Sequence, residues 1–329
     1  MKNYKSNLTD TEVRFNNISS ASLFKLAQES KQMASIAFAN DSSKYRKKQE
    51  NRSFFAALFN PHIARKWFGI LKSPNFEQVA KYRNRLYFKP FRVYISTKWR
   101  SARKIKVILD TYLFILSKSD FLNDLITNKN GIELTRFYLN ETIEGVLVLG
   151  YNDRYRKEGE IVLTFECEQL GGTIAAAAFS FEEIKKDEWV CRIGCIQGHS
   201  IQDENFSKIT QKLLYGLRPK SLLVFTLQEL SRQLGFSAIY GTGDAIQTYR
   251  KKHAIHLPWV HKIQFDYDAV WEESSGRKCN DGWYELPLVP SRKVIKELKT
   301  SKRAMYTRRY IFLDSLSLKI GETVSKINA

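Results

Sequence analysis

Between residues 189 and 242 the chain has few ways to fold. Residues 189–199, Trp-Val-Cys-Arg-Ile-Gly-Cys-Ile-Gln-Gly-His, read as a buried strand because the run is largely apolar. A helix pattern opens at Pro219, where proline suits a first turn, and runs to Leu234. Gly235 ends it, and Ala238–Thr242 reads as the next strand. A strand, a connection, a helix and a strand make a crossover unit. The connection closes with Tyr215-Gly216-Leu217-Arg218-Pro219-Lys220, which sets one glycine and two cations at the helix start.

The flanks extend this unit into a sheet. Residues 131–139, 142–150, 160–167, 173–181 and 189–197 read as strands joined by short polar links, which favours an antiparallel meander. Within them the small-residue run 175–178 marks the close approach of a helix or a ligand. After residue 242 the pattern predicts a short helix over 244–252 and strands over 263–267 and 283–286. Residues 271–276 read as the loop between those strands. The segment 292–329 is helical by pattern.

Upstream, helices are expected over 20–38, 53–59, 61–71 and 101–117, and 41–52 reads as a solvated basic run, a mobile arm or a peripheral cover. The chain is therefore read as α+β, with a mostly helical basic N-terminal half and a C-terminal mixed antiparallel sheet carrying a crossover helix. The expected divisions are 1–52, a polar arm with one amphipathic helix; 53–128, a helical basic region; 129–290, the sheet; and 291–329, a basic helical segment.

Charge limits the partners. The 329 residues carry a formal +19, which favours an anionic partner: nucleic acid, a phosphate-bearing donor or an acidic lipid surface. The N-terminus is polar and lacks an apolar run of signal-peptide length, so a cytoplasmic protein is expected. No run is long enough to span a bilayer. Cys191 and Cys195 would lie about 13 Å apart along a strand, too far for a disulfide. Together with Cys167 and Cys279 they are expected as reduced thiols.

The strongest basic signal is 81–106, with Arg83, Arg85, Arg92, Lys98, Arg100, Arg103 and Lys104 among its cations, aromatics between them, and no acid. Such a stretch can track a phosphate backbone or hold lipid headgroups, or its aromatics can simply be core. A second surface signal is Phe54, Phe55, Leu58, Trp67, Phe68, Ile70 and Leu71 beside Arg65 and Lys66. It is either core packing or a membrane or partner face.

The chemistry is less sharply written. Gly216, Arg218 and Lys220 suit a phosphate or pyrophosphate at a helix N-terminus. His199, just past a strand end, has the chemistry of a general base. Tyr249 stands on the short helix after the returning strand, and Glu272 and Glu273 follow a tryptophan. His253, His256 and His261 fit no standard zinc spacing. There is no Gly-x-Ser-x-Gly elbow, HExxH or Walker motif, which argues against the corresponding hydrolases, metalloproteases and ATPases.

Taken in order, several pieces resemble the VirK/YbjX family of proteobacterial proteins. They are Lys89-Pro90, Gly194-Cys195-Ile196-Gln197-Gly198, Gly216-Leu217-Arg218-Pro219-Lys220, Tyr267-Asp268 with Trp271-Glu272, and the run from Lys302-Arg303 to Arg308-Arg309-Tyr310. The resemblance spans about residues 50–320. It implies a Gram-negative cytoplasmic protein tied to virulence, envelope integrity and resistance to stress or cationic peptides, with no established reaction. A place peripheral to the inner membrane is a separate expectation, from the basic and apolar surfaces above.

The order of elements from 144 to 286 also resembles the GNAT-type acyltransferase fold. That likeness implies an acyl-CoA pyrophosphate at Gly216 to Lys220 and Tyr249 as the acid. The glycine-rich loop of that fold is absent, and residues 199–218 stand in its place; this departure weighs against acyl-CoA, and an aminoacyl-tRNA donor would use the positive charge better. Three readings follow. One is an acyl- or aminoacyl-transferase acting on an envelope component or a protein, with Arg218 and Lys220 on phosphate and Tyr249, His199 or Glu272 handling the proton. The others are a nucleic-acid-binding protein and a peripheral membrane accessory protein.

Overall fold

The computed structural model describes residues 19–198, 204–250 and 266–329. The chain divides into two compact units, one ending at Phe88 and one beginning at Lys89. The division falls inside the basic stretch.

The first unit is helical: α1 (Ser20–Ala37), α2 (Ser43–Phe59), α3 (Pro61–Leu71) and α4 (Pro74–Tyr82). Pro61 and Pro74 stand in first turns, where no amide is missed. The basic run 41–52 is not an arm; from Ser43 on it is the first part of α2. Its hydrophobic pattern is weak because the buried positions are Gln49, Ser53 and Ala57. These small and polar residues allow close approach to α1, whose Ser30 hydroxyl donates to the Ser53 carbonyl at 3.1 Å. Trp67 is fully buried and donates its indole N–H to the Leu86 carbonyl at 3.0 Å.

The second unit opens with α5 (Ser101–Leu116) and α6 (Asp120–Thr127). The strands follow: β1 (Ile132–Tyr138), β2 (Glu144–Gly150), β3 (Ile161–Cys167), β4 (Gly172–Lys185) and β5 (Glu188–Gly198). They pair antiparallel in sequence order, as the short links predicted. Two helices come next, α7 (Glu204–Leu213) and the crossover helix α8 (Pro219–Gln233). Then β6 (Ala238–Thr242) pairs parallel with β5. The eight-stranded mixed sheet has the order β1-β2-β3-β4-β5-β6-β8-β7, with β7 (Arg277–Lys278) and β8 (Trp283–Leu286) closing it. The fold is α+β.

Burial explains the strand patterns. β2 alternates half-buried and buried residues, as a strand with one wet face does. β4 is buried without interruption from Ile174 to Glu183, because helices α5 and α8 both pack on it. β4 also outruns β3, whose pairing begins at Phe179. Beyond that point α5 satisfies the bare backbone: the Phe181 amide donates to the Thr111 hydroxyl at 3.0 Å and the Glu183 amide to Asp110 at 3.0 Å. The long C-terminal helix α10 (Thr300–Asn328) packs on α8, where Glu229 accepts from the Ser317 hydroxyl at 2.7 Å.

Besides the early start of α2 and the unexpected helices α4, α6 and α7, three segments differ from expectation. Residues 244–250 form two short 3-10 turns, Asp244–Ile246 and Thr248–Arg250, rather than a helix over 244–252. Tyr267 begins helix α9 (Tyr267–Glu273) instead of ending a strand, because Asp266 caps it and accepts from the Ala269 amide at 2.8 Å. The remainder of that expected strand, 263–265, lies outside the described residues. The segment 292–299 precedes the C-terminal helix and holds only a turn at Ile295–Glu297. No described helix is long and apolar enough to cross a membrane.

The second unit is anchored at its start by a buried polar network. Lys89 pairs with Glu160 at 2.6 Å, and the Tyr112 hydroxyl donates to the same carboxylate at 2.9 Å. The Glu160 amide donates to Ser180, whose hydroxyl meets that of Tyr94 at 2.8 Å. Removing one member strands a charge in the interior. Glu160→Ala is therefore expected to lower the unfolding free energy by about 3–5 kcal/mol, read by chemical denaturation. A loss below about 1 kcal/mol, the level of an exposed pair, would show that water reaches the network.

Candidate active site

The site is built on one extra residue. Ala178 pairs with Cys195, while the adjacent Phe179 pairs with Ile193, so Gly194 is a bulge in β5. A bulge bends its strand and sharpens the twist. The parallel pairing of β5 with β6 ends at the same place, at Ile193 and Gly241. Past it, among the described residues, Cys195 to Gly198 pair only with β4. Glycine is obligatory here because a Cβ would lie 1.8 Å from the Glu158 carbonyl oxygen. The Gly194 carbonyl accepts from the Thr242 hydroxyl and the Gln247 side-chain amide, both at 2.8 Å. The result is a notch at the carboxyl ends of two parallel strands, the place where open α/β sheets bind ligands.

Polar side chains gather at the notch. Glu158 accepts from the Thr248 hydroxyl at 2.9 Å, yet burial holds its carboxyl above the ordinary carboxylate value. Burial pushes the Tyr267 hydroxyl well up, with Cys195 and Glu158 near enough to add to it, and the backbone of Ile196 hydrogen-bonds it. Tyr155 is raised by burial as well, with Cys195 and Glu158 near enough to add to it. The Cys195 thiol is pushed well up by burial and by Glu158, so it is a neutral thiol and no nucleophile. The Tyr249 hydroxyl donates to Asp244 at 2.8 Å, and its ring stacks on that of Tyr267 with centroids 6.3 Å apart. Asp244 is held in turn, its amide donating to Asp268 at 2.7 Å.

The mouth of the notch is basic. Lys220, in the first turn of α8, reaches over the end of β5: its Cε lies 3.2 Å from where a Cβ on Gly198 would stand. Burial and then the Arg218 charge push its ammonium down to about 8. Beside it, Arg154, Tyr155, Thr173, Ala175, Ala176 and Gly198 line a cavity of about 190 Å³. The alanine run thus meets both a helix and a cavity. Tyr155 joins this cavity to the Glu158 cluster.

The candidates named from sequence fall in different places. Lys220 and Tyr249 lie at the notch. Arg218 is at the helix start, but its charge is taken by Glu273 at 2.8 Å. Gly216 forms the left-handed end of α7, and a Cβ there would strike Met305 and Arg309 of α10. Its amide already donates to the Gln211 carbonyl. The close approach that Gly216 makes in this structure is to helix α10. Glu272 is exposed and accepts from the Tyr284 hydroxyl at 3.1 Å. His199 and the histidines 253, 256 and 261 lie outside the described residues.

The basic stretch is largely engaged in holding the fold. Arg103 pairs with Glu182 at 2.6 Å, Lys98 donates to the Asp281 carbonyl at 3.1 Å, and Lys104 to those of Arg92 and Pro90. Arg100 is exposed. In the first unit, Arg85 pairs with Asp41 at 2.6 Å and Arg83 donates weakly to Tyr82. Sequence reasoning passed over Glu158, Tyr155 and Tyr267. The signal that could have found them is Gly194, because glycine inside a strand marks a bulge or a close backbone approach.

A family model described as protein of unknown function, DUF535, matches residues 42–322. The chain belongs to the DUF535 family. Among curated relatives of this DUF535 member, an uncharacterized protein of Haemophilus influenzae is 27% identical over 239 residues, 70% of this chain and 73% of its own length. The uncharacterized protein YbjX of Escherichia coli is 24% identical over 278 residues, 83% of this chain and 82% of its own. These relatives bear out the resemblance to the VirK/YbjX family. No solved structure matches the chain at a significant level.

The raised carboxyl carries a stability signature. Folded Glu158 binds its proton more tightly than the unfolded chain does, so its contribution falls as pH rises from the ordinary carboxylate value through the raised one. Glu158→Gln keeps the acceptor for Thr248 and removes that loss. The variant should gain on the wild type progressively across this window in denaturation at stepped pH. A difference independent of pH would mean that Glu158 ionises as it does in water.

Proposed function

We propose that this protein is a group-transfer enzyme that moves an acyl or aminoacyl group from an anionic donor onto an envelope component or a protein. The observation that carries the reading is the notch at the Gly194 bulge, basic at its mouth and lined with a raised carboxyl and tyrosines inside. The sheet order, with one parallel pair opened beside a crossover helix, supports the likeness to GNAT-type acyltransferases.

Each part has a role on this reading. Lys220 and Arg154 hold the donor's phosphates, and the Lys220 ammonium, weakened by burial, is restored when an anion arrives. A carboxyl raised above the ordinary carboxylate value is a stronger base than one in water, so Glu158 takes the proton of the attacking amine or hydroxyl. The new bond forms at the donor's acyl carbon as the bond to its sulfur or oxygen breaks. Tyr249, oriented by Asp244, gives its proton to the leaving atom and regains one from solvent, as Glu158 releases to solvent the proton it took. Such an activity on the cytoplasmic side fits a family role in envelope integrity, stress resistance and virulence.

Titration of the protein with acetyl-CoA by calorimetry, and with an aminoacyl-tRNA by filter binding, tests the reading. Lys220→Ala should weaken donor binding by about tenfold, in line with the loss of one charged contact. Wild-type affinity should fall as pH rises through about 8, because free Lys220 then loses its charge. Glu158→Gln should bind the donor normally and lose transfer. If neither donor binds, or if Lys220→Ala and pH leave affinity unchanged, the transferase reading fails.

A further inference from the structure

The first unit carries a surface that the notch does not explain. Helix α2 buries Gln49, Ser53 and Ala57 on one side. On the other side Lys44, Lys47, Lys48, Asn51, Arg52, Phe55 and Phe59 are all exposed. At 100° per residue these seven positions fall within about 140° of the helix circumference. The face holds four cations and no acid; Glu50, the one acid of α2, lies off it, 3.8 Å from Arg46.

Its C-terminal end is aromatic. Phe55 is 52% exposed and Phe59 76%, and Phe24 of α1 beside them is 53% exposed. Phe24 meets Phe54 at 5.7 Å, Phe54 meets Phe55 at 5.4 Å, and Phe55 meets Phe59 at 6.2 Å, so the rings form one continuous patch. Phenylalanine has no polar handle to favour such exposure. The Trp67, Phe68 and Leu71 side chains of α3, by contrast, are core. The sequence-level choice between core and docking face is thus divided: α3 packs inward, and the end of α2 faces out.

We infer that this face docks on an anionic phospholipid bilayer, with Phe55, Phe59 and Phe24 entering the interface and Lys44, Lys47, Lys48 and Arg52 on the headgroups. Charge complementarity and the segregation of rings from cations along one helix argue for it. The Phe24, Phe54 and Phe55 rings meet edge to face, at 79° and 90°, and Phe55 and Phe59 lie parallel at 17°. Lipid is favoured over single-stranded nucleic acid because the rings form one contiguous apolar patch at the end of the helix instead of being interleaved with the cations along a groove. The inference does not depend on the transferase reading, but it would set an enzyme beside envelope acceptors.

The test is flotation of the full chain with vesicles of phosphatidylglycerol and phosphatidylethanolamine, and with vesicles of phosphatidylcholine alone. Flotation is expected with the first and not the second. Phe55→Ser with Phe59→Ser should weaken binding at least tenfold, about the loss of one buried apolar side chain or more, with an unchanged melting temperature. Lys44→Gln, Lys48→Gln and Arg52→Gln together should weaken it about fivefold per charge, more at low salt than at high. No flotation with anionic vesicles overturns the inference, as does equal flotation of the wild type and both variants. Retention of a single-stranded RNA that the phenylalanine variant loses, without flotation, would assign the face to nucleic acid instead.

Discussion

The second unit depends on a backbone contact that only glycine permits. The segment that carries Tyr155 and Glu158 is pressed onto the sheet at two points: the Glu158 carbonyl over Gly194, and Gly159 against the backbone of Phe179. A Cβ at Gly159 would lie 2.4 Å from the Phe179 nitrogen. The same contact accounts for the geometry of the notch and for its chemistry. It coincides with the bulge where β5 leaves β6, and it half-buries the Glu158 side chain, which holds its carboxyl above the ordinary value. Shape and acidity at this site are one property of the fold.

The large positive charge is not spread as a single binding face. Arg192 lies within the sheet, paired with Glu182 at 2.8 Å and set over the rings of Tyr240 at 4.3 Å and Trp283 at 4.9 Å. Arg103 approaches the other oxygen of the same buried carboxylate. Such cations organise the interior and are expensive to leave unpaired. The cations that line candidate binding surfaces are a smaller set, and they separate into two kinds. At the notch a few cations stand beside groups with shifted acidity, as a reacting site requires. On α2 the cations are solvated and lie in a row.

Much of the fold was legible in the sequence, because it follows from period and punctuation. The five-strand meander, Pro219 opening the crossover helix and Ala238–Thr242 returning to the sheet were all readable from apolar runs and turn residues. What failed has a common cause. The start of α2 was hidden because its buried face is Gln, Ser and Ala, which carry no hydrophobic signal. The helix at Tyr267 was hidden because an Asp266 cap outweighed an aromatic run. At the site, Lys220 and Tyr249 were visible as isolated residues. Glu158 was not, because its importance lies in a packing contact with a residue 36 positions later, and no local pattern records that.

The outer strand β1 has a further consequence for how the molecule meets copies of itself. Its Leu134 carbonyl accepts from the Thr323 hydroxyl at 2.7 Å, and its Arg136 carbonyl from Lys319 at 2.8 Å, both donors on α10. At the opposite margin β7 is only two residues long. Neither margin offers a long row of unpaired backbone groups, so the sheet is poorly suited to growth by adding a neighbour's strand. The terminal helix thus occupies an edge that a neighbour's strand would otherwise need.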